Sequence, residues 1–225
     1  MLALSPPLPL AIHYMNPDLD ITSTEEEGII LALKQRRRVH RIRFFMPTRN
    51  LDRLIKAIDE EYPVLEYLIM TSSSEDVSTV RILPATFQAP RLRCLLLKGF
   101  GLPAGLMTAE GLVTLFLIID DPSGYCPPYT LFRYILFMRR LETLRIIFKF
   151  PISNDEVERA FHQLEAMFMS SMTYITYPNL RWFEFQGASA YMEAFVHWIN
   201  APRLKKLNFS WASNPRFPFH VSYGL

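Results

Sequence analysis

The sequence has few of the residues that carry chemistry. Only two cysteines, Cys94 and Cys126, occur in 225 residues. They are too few and too far apart for a disulfide framework, so a reducing, intracellular compartment is expected, cytoplasmic or nuclear. Glycine-rich phosphate loops and the patterns H-E-x-x-H, C-x-x-C and G-x-S-x-G are missing, and with them the usual signatures of nucleotide, metalloprotease, redox and hydrolase chemistry. The five histidines, His13, His40, His162, His197 and His220, are scattered, and none has a second histidine or cysteine three or four positions on. Asp120-Asp121 reads as a turn former before Pro122, with an acid or metal site as the alternative. Cys94 has no identifiable base nearby, and a thiol without one is a poor nucleophile. No catalytic residue, metal or cofactor is therefore expected.

Long hydrophobic runs are also missing. The longest, Leu112 to Ile119, falls well short of the roughly 18–20 residues a bilayer requires, so no membrane partner is expected. The apolar N-terminus is broken by prolines and lacks the basic region of a signal peptide. Charge of one sign is not in excess: 24 Lys and Arg stand against 22 Asp and Glu, a net charge of +2. That balance is too mild to imply a nucleic-acid partner. Arg36-Arg37-Arg38 reads as a solvated helix end in favourable charge–dipole placement, with a nucleic-acid patch as the minor alternative. The one glycosylation sequon, Asn208-Phe209-Ser210, falls inside an expected strand.

Apolar residues, by contrast, make up 50% of the chain, and they repeat. The skeleton P-x-L-x-x-L-x-L, with aromatics allowed at the leucine positions, appears as Pro178-Leu180-Phe183-Phe185. It recurs as Pro63-Leu65-Leu68-Met70, Pro90-Leu92-Leu95-Leu97 and Pro202-Leu204-Leu207-Phe209. Copies without the proline are Leu112-Leu115-Leu117, Leu141-Leu144-Ile146 and the weaker Val39-Ile42-Phe44. The first leucine positions are 39, 65, 92, 112, 141, 180 and 204, in steps of 26, 27, 20, 29, 39 and 24 residues. Recurrence at roughly 20–29 residues is the mark of leucine-rich repeats. The expected fold class is α/β: one leucine-rich-repeat solenoid spanning 1–225, with irregular repeats, parallel strands on the concave face and helices on the convex face.

Helical spacing fills the intervals. A capping box of Thr24 and Glu27 predicts a helix running to about Arg37 that buries Ile29, Ile30 and Leu33. Residues 49–61 carry Leu51, Leu54, Ile55 and Ile58 on one face. Residues 130–139 do the same with Leu131, Tyr134, Ile135 and Met138, and 189–199 with Tyr191, Phe195 and Trp198. A capping box of Ser153 and Glu156 predicts a further helix, 153–169, inside the longest step. Residues 7–14 read as a first strand and 39–45 as a second. Residues 71–79 read as a loop, 101–109 as a short turn and Asp120 to Gly124 as a turn cluster.

The order of these features resembles a known family. The Thr24-Glu-Glu-Glu-Gly-Ile-Ile-Leu-Ala-Leu helix, the Arg-Val-His-Arg-Ile-Arg strand and the Tyr177-Pro-Asn-Leu-Arg-Trp-Phe segment, together with P-x-L-x-x-L-x-L, resemble the leucine-rich-repeat region of F-box proteins expanded in mushroom-forming fungi. The resemblance implies a substrate-recruiting region of a ubiquitin-ligase receptor, with the Skp adaptor as a partner only where an F-box lies upstream. No F-box is visible here. The asparagine expected after each L-x-L is replaced by Ser73, Phe100, Asp120, Lys149, Ala188 and Ala212. Both ends look cut: residues 7–14 start as a strand, and 217–223 start another that goes nowhere. The chain therefore reads as a fragment.

In an L-x-x-L-x-L strand the last two leucine positions point inward and the residues between them point to the concave face. That rule predicts a partner-binding face of Arg41, Arg43, Tyr67, Ile69, Leu96, Phe116, Ile118, Arg145, Trp182, Glu184 and Lys206. Its middle is apolar and its ends carry charge and aromatics, a protein-contact signature. Insertions or a missing C-terminal part covering this patch would make it core instead. The expected function is a non-catalytic protein–protein interaction module whose partner is a protein substrate or a scaffold partner. A repeat scaffold without a ligase role is the alternative, and an enzyme grafted on the repeats is a remote third.

Overall fold

A computed structural model describes residues 8–73, 81–101, 109–152, 175–211 and 220–224. The strands are β1 (Leu10–Met15), β2 (Val39–Met46), β3 (Tyr67–Ser72), β4 (Cys94–Lys98), β5 (Thr114–Ile119), β6 (Thr143–Phe148), β7 (Ile175–Thr176), β8 (Trp182–Gly187), β9 (Ile199–Asn200), β10 (Lys206–Trp211) and β11 (His220–Gly224). The helices are α1 (Ser23–Leu33), α2 (Thr48–Ile55), α3 (Pro128–Ile135) and α4 (Ser189–Trp198), with a 3₁₀ turn at Pro122–Gly124. Nine strands form one open sheet in the order β1-β2-β3-β4-β5-β6-β8-β10-β11, while β7 and β9 pair separately. The first eight strands of the large sheet are parallel and follow chain order, and β11 alone runs antiparallel, against β10.

The register reproduces the sequence repeat residue for residue. Ile42, Leu68, Leu95, Leu115, Leu144, Phe183 and Leu207 form one row across the sheet, and Phe44, Met70, Leu97, Leu117, Ile146, Phe185 and Phe209 form the next. A strand turns alternate side chains to opposite faces, so an L-x-L pattern places both leucines on one side. From β2 to β8 these residues are almost fully buried, as are the first leucine positions Val39, Leu65, Leu92, Leu112, Leu141 and Leu180. In β10, Leu207 and Phe209 are only half-buried.

The proline of the repeat has a structural role. In the four copies that carry the proline, the amide of the first leucine donates to the carbonyl three residues back: Leu65 to Tyr62 (3.2 Å), Leu92 to Ala89 (3.0 Å), Leu180 to Tyr177 (3.3 Å) and Leu204 to Ala201 (3.1 Å). The chain thus enters these four strands through a β-turn with proline at its second position, where the ring's fixed φ is already suitable. Leu112 and Leu141 make the same bond, to Ala109 and Met138, without the proline.

The helices and connections cover the buried face of the sheet in one continuous apolar core. Leu51, Leu54, Ile55 and Ile58 are buried together, as are Leu131, Ile135 and Met138, and Tyr191, Phe195 and Trp198. Tyr134 is only half-buried, and the neighbouring Phe132 takes the place in the core instead. The C-terminal half of the core is aromatic: Phe148 lies 6.1 Å from Phe185 and 5.2 Å from Tyr191, ring centre to ring centre, and Phe183 lies 5.4 Å from Phe195. Two buried tyrosines also finish helices. Tyr62 donates to the carbonyl of Leu33 (3.2 Å) and Tyr177 to that of Ile135 (2.9 Å), the last residues of α1 and α3. Terminal helix carbonyls lack an intrahelical donor, and a hydroxyl supplies one.

Several expected boundaries change. The α1 capping box is Thr22 with Glu25, not Thr24 with Glu27: the Thr22 hydroxyl accepts from the Glu25 amide (3.3 Å) and the Glu25 carboxylate from the Thr22 amide (2.9 Å). Both pairs satisfy the same S/T-x-x-E spacing, and the earlier one starts the helix because Thr22 has the extended backbone a cap needs. The helix stops at Leu33, so Arg36, Arg37 and Arg38 lie beyond it in a turn; Ile29 and Ile30 are half-buried. The last expected strand does not go nowhere: from His220 on it is β11, paired along β10 from Ser210↔His220 to Lys206↔Gly224. Residues 74–80 and 102–108, and the expected helix 153–169, lie outside the described residues.

Candidate partner-binding face

The other face of the sheet has no helix on it among the described residues, and its side chains are mostly half-buried by their neighbours. Parallel register stacks them in rows. The first row is Arg41, Tyr67, Cys94, Thr114, Thr143, Trp182 and Lys206. The second is Arg43, Ile69, Leu96, Phe116, Arg145, Glu184 and Asn208, and the third is Phe45, Thr71, Lys98, Ile118, Ile147, Gln186 and Ser210. All eleven residues expected on the binding face therefore lie on this one surface. Strand β1 extends it with His13 opposite Arg43 and Met15 opposite Phe45. Ile147 joins the apolar centre beside Ile118. Its outward place is legible in the alternation Thr143, Arg145, Ile147 along β6.

Cross-strand contacts that the repeat pattern could not reveal order the charged groups. The Arg145 guanidinium lies over Phe116 (4.1 Å) and near Trp182 (5.1 Å), and its Nη2 donates to Glu184 (2.9 Å). Lys206 Nζ lies over the same Trp182 ring at 4.4 Å. These are cation–π contacts between adjacent strands, the sheet counterpart of helical i, i+4 pairs. Arg41 stacks on Tyr67 at 4.4 Å, and its Nε is buried without a hydrogen-bond partner among the described residues. The signal for these pairs is in the sequence only once the register is known.

The face carries a charge imbalance that the whole chain does not. Arg41, Arg43, Lys98, Arg145 and Lys206 stand against Glu184, which is committed to Arg145. At the C-terminal end of the strands, Lys149 and Asp120 pair across β6 and β5 at 3.3 Å. Asp121 is a turn residue, its carboxylate accepting from the Ser123 amide (2.7 Å).

Cys94 sits on this face half-buried, and burial pushes its thiol pKa up despite the opposing influence of Arg41, which leaves it protonated at neutral pH. Cys126 is buried and its thiol is pushed up to about 12. Among the described residues no group of three or more His, Cys, Asp and Glu side chains is placed to hold a metal ion, and no helix is long and apolar enough to cross a membrane.

The three arginines behind α1 form a different surface. Lys34, Arg36, Arg37, Arg38 and Glu61 line an open cleft of about 720 Å³. Arg36 pairs there with Glu60, and Arg38 donates to the Leu8 carbonyl (3.2 Å). Large apolar residues exposed elsewhere, such as Leu31, Phe137 and Val196, are single side chains on or beside helices.

In comparisons with known proteins the chain matches no family model, no curated protein and no solved structure.

Proposed function

We propose that the chain is a leucine-rich-repeat solenoid whose uncovered strand face binds other proteins, and that its role is non-catalytic. The observation that carries this reading is the register: seven copies of one sequence pattern stack in chain order as successive parallel strands. A unit with an apolar strand edge and an apolar helix stripe cannot bury both alone, so its neighbours complete it, and the arrangement leaves the other strand face without a helix among the described residues. That face has an apolar centre, Ile69, Leu96, Phe116 and Ile118, between stacked aromatic and basic groups, as protein-contact surfaces do. The resemblance to repeat regions of fungal F-box proteins narrows the role to substrate recruitment for a ubiquitin ligase.

The test is co-purification of the chain from a lysate of a mushroom-forming fungus, compared with the variant Phe116→Asp, Ile118→Asp, with the captured proteins identified by mass spectrometry. The ligase reading expects the Skp adaptor or a cullin with both proteins, and further proteins lost with the variant. Capture of variant-sensitive proteins without the adaptor would leave a repeat scaffold with no ligase role. An identical set with both proteins would remove the binding face from the account.

A further inference from the structure

We infer that the ligand of this face is an extended protein segment of about nine residues with carboxylates near both ends and apolar side chains between them. This rests on the proposed interaction role and adds the chemistry of the partner. Charge complementarity along the order of strands carries it. At one end, Arg41 and Arg43 are two positions apart on β2, so they lie roughly 7 Å apart on one face. No described acid is paired with either of them. Arg41 is held flat on Tyr67, and its buried Nε has no acceptor among the described residues. A buried guanidinium nitrogen without an acceptor favours any ligand oxygen that reaches it. At the other end, Lys206 is exposed and held over Trp182.

Between them, in the two rows that hold Arg41 and Arg43, the charge is already neutralised, and Lys98 of β4 lies one row further along the strands. Arg145 is sandwiched on Phe116 and Trp182 and bound to Glu184, so it presents a spent ion pair and not a free cation. The rest of the centre is Ile69, Leu96, Ile118 and Ile147, each half-buried. Aliphatic side chains suit apolar protein residues better than nucleobases, which need flat aromatic platforms in series. From β2 to β10 there are six inter-strand steps of about 4.8 Å, roughly 29 Å in all, which an extended chain covers in about nine residues. The face therefore asks for the pattern acid, apolar stretch, acid.

The experiment pans a displayed library of random peptides, each about twelve residues long so that it exceeds the span, on the whole chain. The affinities of the enriched peptides are then measured for the wild type, for Arg41→Gln with Arg43→Gln, and for Phe116→Asp with Ile118→Asp. Melting midpoints confirm that each variant is folded. Enrichment of Asp or Glu flanking apolar residues is expected, with affinity falling about tenfold or more in the arginine variant, on the scale of one lost charge-assisted contact. Added salt should weaken the wild type more than the arginine variant. Enriched peptides without acidic bias, or full affinity in the arginine variant while the apolar variant loses it, would overturn the acidic partner and leave the interaction role standing. Equal affinity for all three proteins would overturn both. Tighter binding of a single-stranded RNA oligonucleotide than of any peptide, lost in the arginine variant, would replace the acidic segment with nucleic acid.

Discussion

At Gly187, the last residue of β8, a methyl group would meet Phe185 Cζ at 2.8 Å and Phe148 Cδ2 at 3.0 Å. Those rings pack against each other and against Tyr191, so neither can swing away without disturbing the aromatic core. Gly187→Ala should therefore lower stability by about 1–3 kcal/mol, the usual cost of overpacking, read as a lower denaturation midpoint in urea. An unchanged midpoint would mean that the core around Phe148 is loosely packed. Buried hydroxyls and thiols set a second residue-scale expectation. Burial pushes Tyr62 from 10.0 to about 12 and Cys126 from 9.0 to about 12, and pushes Tyr177 and Tyr191 upward as well. A raised folded pKa means that the native state keeps a proton the unfolded chain has lost. Stability from these groups is then complete below pH 9 and is lost as pH rises from about 9 to about 12. Circular dichroism across that window should show cooperative alkaline unfolding; a chain unaltered through it would contradict the burial of these side chains.

The strands are the elements written most openly in the sequence. An alternation of leucine-type residues needs no tertiary information to place both on one face, so the rows through Leu95 and Leu97 could be read directly. The binding-face residues followed by the same rule, because they are the positions between. Helix ends were less legible. Thr22 and Thr24 both stand three residues before a glutamate, and only the backbone at Thr22 decides between them. The direction of β11 was not legible at all, since alternation is the same in a parallel and an antiparallel strand. The stacking of Arg145 between Phe116 and Trp182 joins residues far apart in sequence and exists only in the register. The turn that starts each strand is an element-scale device with its own test. Pro178 sits inside the turn closed by the Leu180 amide and Tyr177 carbonyl. Pro178→Ala should cost roughly 0.4–1 kcal/mol through a freer unfolded chain, with the slope of the urea transition little changed. A larger loss together with a changed slope would show that the proline does more than restrict the turn.

The described residues form a sheet laid down in chain order, with helices on one face and, among those residues, none on the other. Each strand meets the one before and the one after in sequence, apart from the interposed short pair β7 and β9. The inner strands β2 to β8 bury their leucine positions nearly completely, whereas the rows fade at β10 and β1, where residues such as Leu207, Phe209, Leu10 and Tyr14 are half-buried. Two surfaces compete as docking sites at this scale: the uncovered strand face, and the helix side with its exposed Leu31, Phe137 and Val196. Continuity favours the first, because binding energy concentrates where apolar and aromatic groups adjoin, not at single exposed side chains. The measurement that separates them is oxidative side-chain footprinting of the free chain and of the chain saturated with its tightest enriched peptide. Protection of Tyr67, Phe116 and Trp182, with Leu31, Phe137 and Val196 labelled as before, is the result this account predicts. Protection of the helix-side residues, with the strand face labelled at its free rate, would contradict it.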